Sequence, residues 1–135
     1  MSNSYHLRSD GSTVSVKVQV GTIGNASSSV TKHRSGGSFE VVARSAKTAA
    51  GNIPKTAAGT SKDLIGQVIV TDVAILLDGV PKSQLDQAFQ QLFVRVTISG
   101  GIDGEQFFDI SPNEKKQFMD KRLIVASKAI KLLTQ

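Results

Sequence analysis

The sequence predicts an α+β fold: an N-terminal β-hairpin, an antiparallel β-sheet and a C-terminal amphipathic helix. Residues 14–20 and 93–99 alternate apolar and polar side chains with the period of two that marks half-buried strands. From residue 112 to about residue 133, apolar residues recur at helical spacing. A chain of 135 residues fits one domain, so we expect residues 1–135 to form a single unit.

The N-terminal segment predicts a hairpin over residues 5–20, turning at Asp10-Gly11. This dipeptide favours a type I′ turn, because both central positions of that turn need positive φ. Valines then occupy every second position from 14 to 20, and polar residues stand between them. Lys17 is therefore expected on the solvent-exposed face of the strand.

Residues 21–45 predict a loop followed by a strand. Residues 21–38 are rich in Gly, Ser and Asn, which favours a loop or a weak strand around residues 29–33. Residues 39–45 predict a strand, with Arg44 on its open face. The same parity puts three apolar side chains on the inner face: Phe39, Val41 and Ala43.

The next segment predicts a long exposed loop and then a central strand. Residues 46–62 contain a short basic repeat and Pro54, and they are expected to form an exposed loop that includes Lys47. Residues 68–77 are nearly all apolar, which suits a strand covered on both faces. Residues 81–91 suggest a short helical or irregular crossover.

The C-terminal segment predicts an amphipathic helix over residues 112–133. Ser111 and Glu114 have the spacing of a capping box, and Pro112 stands at the first helical position. The apolar stripe includes Met119, Leu123, Ala126, Ile130 and Leu133, with Phe118 beside it. Such a stripe must be buried, either on the sheet of its own chain or on that of a partner subunit.

No catalytic or metal-binding constellation is apparent, so we expect neither an enzyme nor a cofactor. The chain has no cysteine, and His6 and His33 stand without ligand-type neighbours at metal-binding spacing. Asp103, Glu105 and Asp109 lack the spacing of a calcium loop. The sequence also has no apolar run of the ~18 residues that a membrane span needs.

The charge balance fits a polyanionic partner, although an ordinary solubility charge explains it equally well. The net charge is +5 and the pI is about 9.7. Strand parity puts Arg95 and Thr97 on an open sheet face beside Phe93, where charge, hydroxyl and aromatic groups suit RNA. The candidate RNA-binding residues are Lys17, Arg44, Lys47, Arg95 and Thr97.

The order of elements resembles that of the coat proteins of single-stranded RNA bacteriophages. Residues 111–123, running from the capping serine through Phe118 to Leu123, are similar to the start of that family's C-terminal helix. Gln87-Ala88-Phe89, before the strand at residues 93–99, resembles an alanine–aromatic step that precedes a late strand in that family. The predicted hairpin at Asp10-Gly11 resembles the family's first hairpin.

The resemblance implies an intertwined homodimer, in which each helix crosses onto the partner's sheet. The expected interface residues are Phe118, Met119, Leu123, Ile130 and Leu133. It further implies an icosahedral shell with genomic RNA on the inner sheet face, assembled in the cytoplasm of a bacterial host and found in the virion. Two alternatives remain open: a basic nucleic-acid-binding module that does not assemble, and a β-rich subunit of a phage tail or secretion tube.

Overall fold

A computed structural model describes residues 3–134 of the chain, as two β-sheets that share one hydrophobic core. The predicted α+β fold with a C-terminal helix, and the intertwined dimer built on that helix, are therefore wrong. The C-terminal segment is a strand, and each of the described helices is short. The architecture is a β-sandwich.

Six strands form sheet A: β1 (Asn3–Leu7), β3 (Asn25–His33), β4 (Phe39–Arg44), β6 (Val68–Leu76), β9 (Lys115–Phe118) and β10 (Leu123–Thr134). Their order is β1-β10-β6-β3-β4, and β9 pairs with β10 beyond the end of β1. β1 runs parallel to β10, whereas the other neighbouring pairs are antiparallel.

Four strands form sheet B: β2 (Thr13–Gly21), β5 (Ile53–Thr60), β7 (Phe93–Gly101) and β8 (Gly104–Asp109). Their order is β5-β2-β7-β8, and all three pairs are antiparallel. Helix α1 (Ser61–Leu64) links β5 to β6, and helix α2 (Leu85–Gln91) links β6 to β7. Short 3₁₀ turns occupy Lys82–Gln84 and Pro112–Glu114.

The alternation predicted for β2 and β7 is confirmed. One side of these two strands is buried in the core, and it consists of Val14, Val16, Val18, Val94, Val96 and Ile98. The opposite side of β2 includes the exposed residues Lys17 and Gln19. Because β2 and β7 are neighbours in register, their buried side chains form one continuous apolar layer.

The predicted N-terminal hairpin is wrong, because β1 and β2 lie in different sheets. β1 pairs with β10 in sheet A, and β2 pairs with β5 and β7 in sheet B. Gly11 has φ of 76°, and the Asp10 carboxylate accepts a hydrogen bond from the Ser12 amide at 3.0 Å. Asp10 does not have positive φ, so the predicted type I′ turn is absent, and the bend at Asp10-Gly11 carries the chain from one sheet to the other.

Two further predictions fail along β4 and β5. A bulge in the pairing of β3 with β4 leaves Val42 unpaired, so that Val41 pairs with the outward-facing Thr31. Phe39 and Val41 consequently lie on the exposed side rather than in the core. The predicted loop over residues 46–62 includes β5, an edge strand that accommodates Pro54.

The predicted helix over residues 112–133 is a 3₁₀ turn followed by a β-hairpin. The Glu114 carboxylate accepts from the Ser111 amide at 2.9 Å, as a capping box requires, but the turn ends there. Met119, Asp120 and Lys121 then have φ of 53°, 55° and 70°, which cannot continue a right-handed helix. The chain reverses at these residues, and β10 pairs with β6 along most of its length.

A partly buried ion pair links β10 to the 3₁₀ turn that precedes β9. Lys128 lies on the inner side of β10, and its side chain is only 6% exposed. Its Nζ donates to Glu114 Oε1 at 2.9 Å, on the turn that follows the last strand of sheet B. Burial acts to raise the pKa of Glu114, but the hydrogen bonds from Ser111 and Lys128 outweigh it, and the pKa is lowered.

Candidate nucleic-acid interface

The sandwich has two outward surfaces, which we name face A (the outer side of sheet A) and face B (the outer side of sheet B). Three of the predicted RNA-binding residues, Lys17, Arg95 and Thr97, lie together on face B. Arg44 pairs with Ser29 on face A, and Lys47 lies in the exposed segment between β4 and β5. The predicted set is therefore divided between opposite sides of the molecule.

Arg95 stands between two exposed phenylalanines on face B. The centre of its guanidinium is 5.1 Å from the centroid of the Phe93 ring and 4.9 Å from that of Phe107. Phe93 is 40% exposed and Phe107 is 56% exposed. Both distances suit cation–π contacts, so the guanidinium and the two aromatic rings form a cluster at the surface.

Asp109 balances the charge of Arg95. The Asp109 carboxylate accepts two hydrogen bonds, from Arg95 Nε at 2.7 Å and from Nη2 at 3.1 Å. This bidentate contact lowers the pKa of Asp109, chiefly through the hydrogen bonds, and raises the pKa of Arg95. Arg95 is thus held in place, while part of its attraction for phosphate is offset.

Lys17 is a cation of face B that has no ion-pair partner among residues 3–134. It is exposed and lies directly opposite Thr97 in the β2–β7 register, while Phe107 lies opposite Thr97 from the other side. Thr97 itself is only 6% exposed. Its hydroxyl is therefore covered by its neighbours, and a direct RNA contact is less suited to Thr97 than to Lys17.

The sequence-based prediction missed Phe107 and the role of Asp109. Both lie on β8, whose register with β7 brings Asp109 opposite Arg95 and Phe107 opposite Thr97. The glycine-rich turn between β7 and β8 indicates a hairpin, and counting from it across the two strands would have found both residues. The register shift near this turn has to be included in that count, because it moves every later pair.

The residues predicted for a dimer interface are also divided. Ile130 is fully buried in the core of its own chain, so it cannot contact a partner. Phe118, Leu123 and Leu133 lie on face A, with Phe118 and Leu133 exposed. Met119 is exposed at the tight turn between β9 and β10.

Within residues 3–134, no three histidine or acidic side chains come together in a way that could hold a metal ion. Asp103 instead contacts His6, whose backbone amide and Nδ1 each lie 2.9 Å from Asp103 Oδ2. His33 stacks on Phe39 with a centroid distance of 5.5 Å. No described helix is long and apolar enough to cross a membrane.

The composition of face B is that of a stacking surface with a nearby cation. Comparison of the chain with models of known protein families, with curated proteins and with solved structures gave no match.

Proposed function

We propose that the protein is a non-catalytic structural subunit that self-associates and binds single-stranded RNA along face B, as a coat or packaging protein does. The observation that carries the proposal is the Phe93–Arg95–Phe107 cluster on the open side of a sheet. Exposed aromatic rings and an arginine plane let unpaired bases stack, and stacking tolerates any base sequence.

Charge supports the same partner. Lys17 lies one strand away from this cluster, and the chain as a whole has a net charge of +5. Lysines near a stacking surface neutralise phosphates, and binding of this kind weakens as salt rises. The RNA would therefore follow face B with its bases on the aromatic rings and its backbone near Lys17.

RNA binding is tested by fluorescence anisotropy of a labelled 12-nucleotide single-stranded RNA over a range of salt concentrations. The double variant Phe93→Ala/Phe107→Ala should weaken binding at least about 30-fold, since it removes two rings and stacking contributes roughly 1–3 kcal/mol per base. Phe118→Ala, which removes an exposed phenylalanine from face A, is the matched control and should bind as the wild type does. Equal affinity of the double variant and the control would refute the role of face B.

Assembly is tested by negative-stain microscopy of the purified protein, together with its absorbance ratio for bound nucleic acid. A coat or packaging protein should give large particles that contain RNA. A strictly monomeric product would overturn the structural role and leave only a nucleic-acid-binding module.

The strand-rich architecture also suits a second candidate, a subunit of a phage tail or secretion tube. Each sheet has edge strands, among them β4 in sheet A and β5 and β8 in sheet B. Edge strands can join subunits head to tail. Rings or filaments that form without RNA would favour this candidate over the first.

A further inference from the structure

We infer that face A docks a second copy of this chain, so that two sandwiches pack sheet against sheet. The inference deepens the proposed function, and it rests on the self-association included there. Its starting point is the register of sheet A, which fixes the neighbours of every outward side chain across β10, β6, β3 and β4.

The middle of face A carries two charges of opposite sign. One row across the sheet reads Ser127, Asp72, Ser29 and Arg44, each on the next strand along. Asp72 and Arg44 are exposed, and neither forms an ion pair within residues 3–134. They are two strands apart, or roughly 10 Å, with a serine between them.

This spacing makes face A complementary to itself. A two-fold axis that runs along β3, in the plane between two facing copies, exchanges the positions of β6 and β4. Asp72 of each copy then faces Arg44 of the other, and both pairs form at once, as an isologous interface requires. The small serines of the row leave a shallow depression between the charges, so the two sheets can approach closely.

The same axis matches apolar residues with apolar residues. In the next row, Val70 on β6 and Val41 on β4 flank Thr31, so Val70 of each copy faces Val41 of the other. The row after it pairs Val68 with Phe39, which flank His33. Phe39 and Val41 are among the exposed hydrophobic residues of the chain, and they would be covered by the facing copy.

Two of the edge strands, β4 and β5, favour docking through a face over docking through an edge. β4 carries a bulge, and β5 carries Pro54 and two register shifts. Bulges and prolines on edge strands oppose pairing with a further strand. Contact through face A avoids these edges altogether.

A dimer joined at face A presents its two face B surfaces in opposite directions. Each dimer would then hold two separate RNA segments and bridge them. This arrangement suits a protein that condenses RNA into a particle, and it differs from a shell in which every RNA-binding surface points inward.

The inference is tested by sedimentation equilibrium of the full chain over a concentration series, with RNA removed by nuclease and high salt. Arg44→Asp and Asp72→Arg should each weaken the dimer at least 10-fold, because each brings two pairs of like charges together. The combined variant Arg44→Asp/Asp72→Arg restores both pairs with the signs exchanged, and it should dimerise within about threefold of the wild type.

Lys82→Asp is the control, because it changes the net charge as much as Arg44→Asp does but lies in an exposed turn away from face A. Its dimer constant should equal that of the wild type. A wild type that stays monomeric would overturn both this inference and the structural role. If both single variants dimerise with the wild-type constant, face A is not the interface, and the proposal of self-association still stands.

Discussion

Face A and face B are both outer sides of β-sheets, but they differ in side-chain chemistry. Face A combines valines, alanines and serines with one acid and one base in its central row. Face B has an arginine that is held by a carboxylate and flanked by two phenylalanine rings. The small side chains in the central row of face A favour contact with another sheet, whereas the rings that flank Arg95 on face B favour planar ligands.

The difference shows that the outward residues of a β-sandwich can be informative even when the core is ordinary. The buried layer consists almost entirely of valine, isoleucine, leucine and alanine, which any sandwich could use. The two faces, by contrast, differ in chemistry, and we propose self-association for face A and RNA binding for face B. Breaking the Lys128–Glu114 ion pair tests how much this contact stabilises the sandwich, and substitutions on each face test whether that face has its own role.

The largest effect is expected at the ion pair between Lys128 and Glu114. Lys128→Ala should lower the free energy of unfolding by about 3 kcal/mol, because breaking a buried pair leaves Glu114 without its partner. Urea denaturation followed by circular dichroism measures the change. Lys131→Ala, on the outer side of the same strand, is the control and should stay within about 0.5 kcal/mol of the wild type. Equal effects at the two positions would show that the ion pair does not contribute to stability.

The same pair gives a pH dependence with a definite sign. The pKa of Glu114 is lowered in the folded state, so its contribution to stability is present above its usual value of 4.5 and is lost as the pH falls through the folded value. The urea midpoint should therefore fall as the pH is lowered from 6 toward 3. Glu114→Gln should cost about 2 kcal/mol at pH 6 and should flatten this dependence. An unchanged acid profile in the variant would assign the effect to other carboxylates.

The C-terminal segment shows why the sequence alone was insufficient for the fold. Ile124, Ala126, Ile130 and Leu132 are buried with a period of two, but their neighbours also fit the helical stripe that the sequence predicted. Lys128 interrupts the alternation of buried apolar side chains, because it is a charged residue on the inner side of the strand. Its partner Glu114 lies outside the strand, so the sequence pattern does not reveal the pair. Pairing with β6 decides between the two periods, and that pairing is a long-range contact.

The strands of sheet B were more predictable, and so was part of the candidate site. β2 and β7 alternate without interruption, so strand parity alone is sufficient to place Lys17 and Arg95 outward. Arg44 was assigned to the same surface, because nothing in the sequence says which strands share a sheet. The bulge at Val42 also could not be predicted, since it depends on how β3 and β4 meet.

A smaller effect is expected when face B gains charge. Asp109→Asn removes the carboxylate that offsets Arg95 and leaves the aromatic contacts with Phe93 and Phe107 in place. RNA affinity at low salt should rise by roughly threefold to tenfold, and the salt dependence should steepen by about one phosphate contact. Anisotropy titrations at several salt concentrations measure both. Unchanged affinity would mean that Arg95 acts through stacking alone.

The smallest effect is expected at Lys17, because it is exposed and acts as a single cation beside the cluster. Lys17→Ala should reduce the salt slope of RNA binding by about one and weaken binding about twofold to fivefold at low salt. Lys131→Ala, which removes a lysine from face A, should leave the slope as it is in the wild type. If the two lysines prove equivalent, the attraction comes from the net charge of the whole chain. If only Lys17 matters, the RNA backbone passes over β2, and the path of the nucleic acid on face B is fixed by one lysine and two aromatic rings.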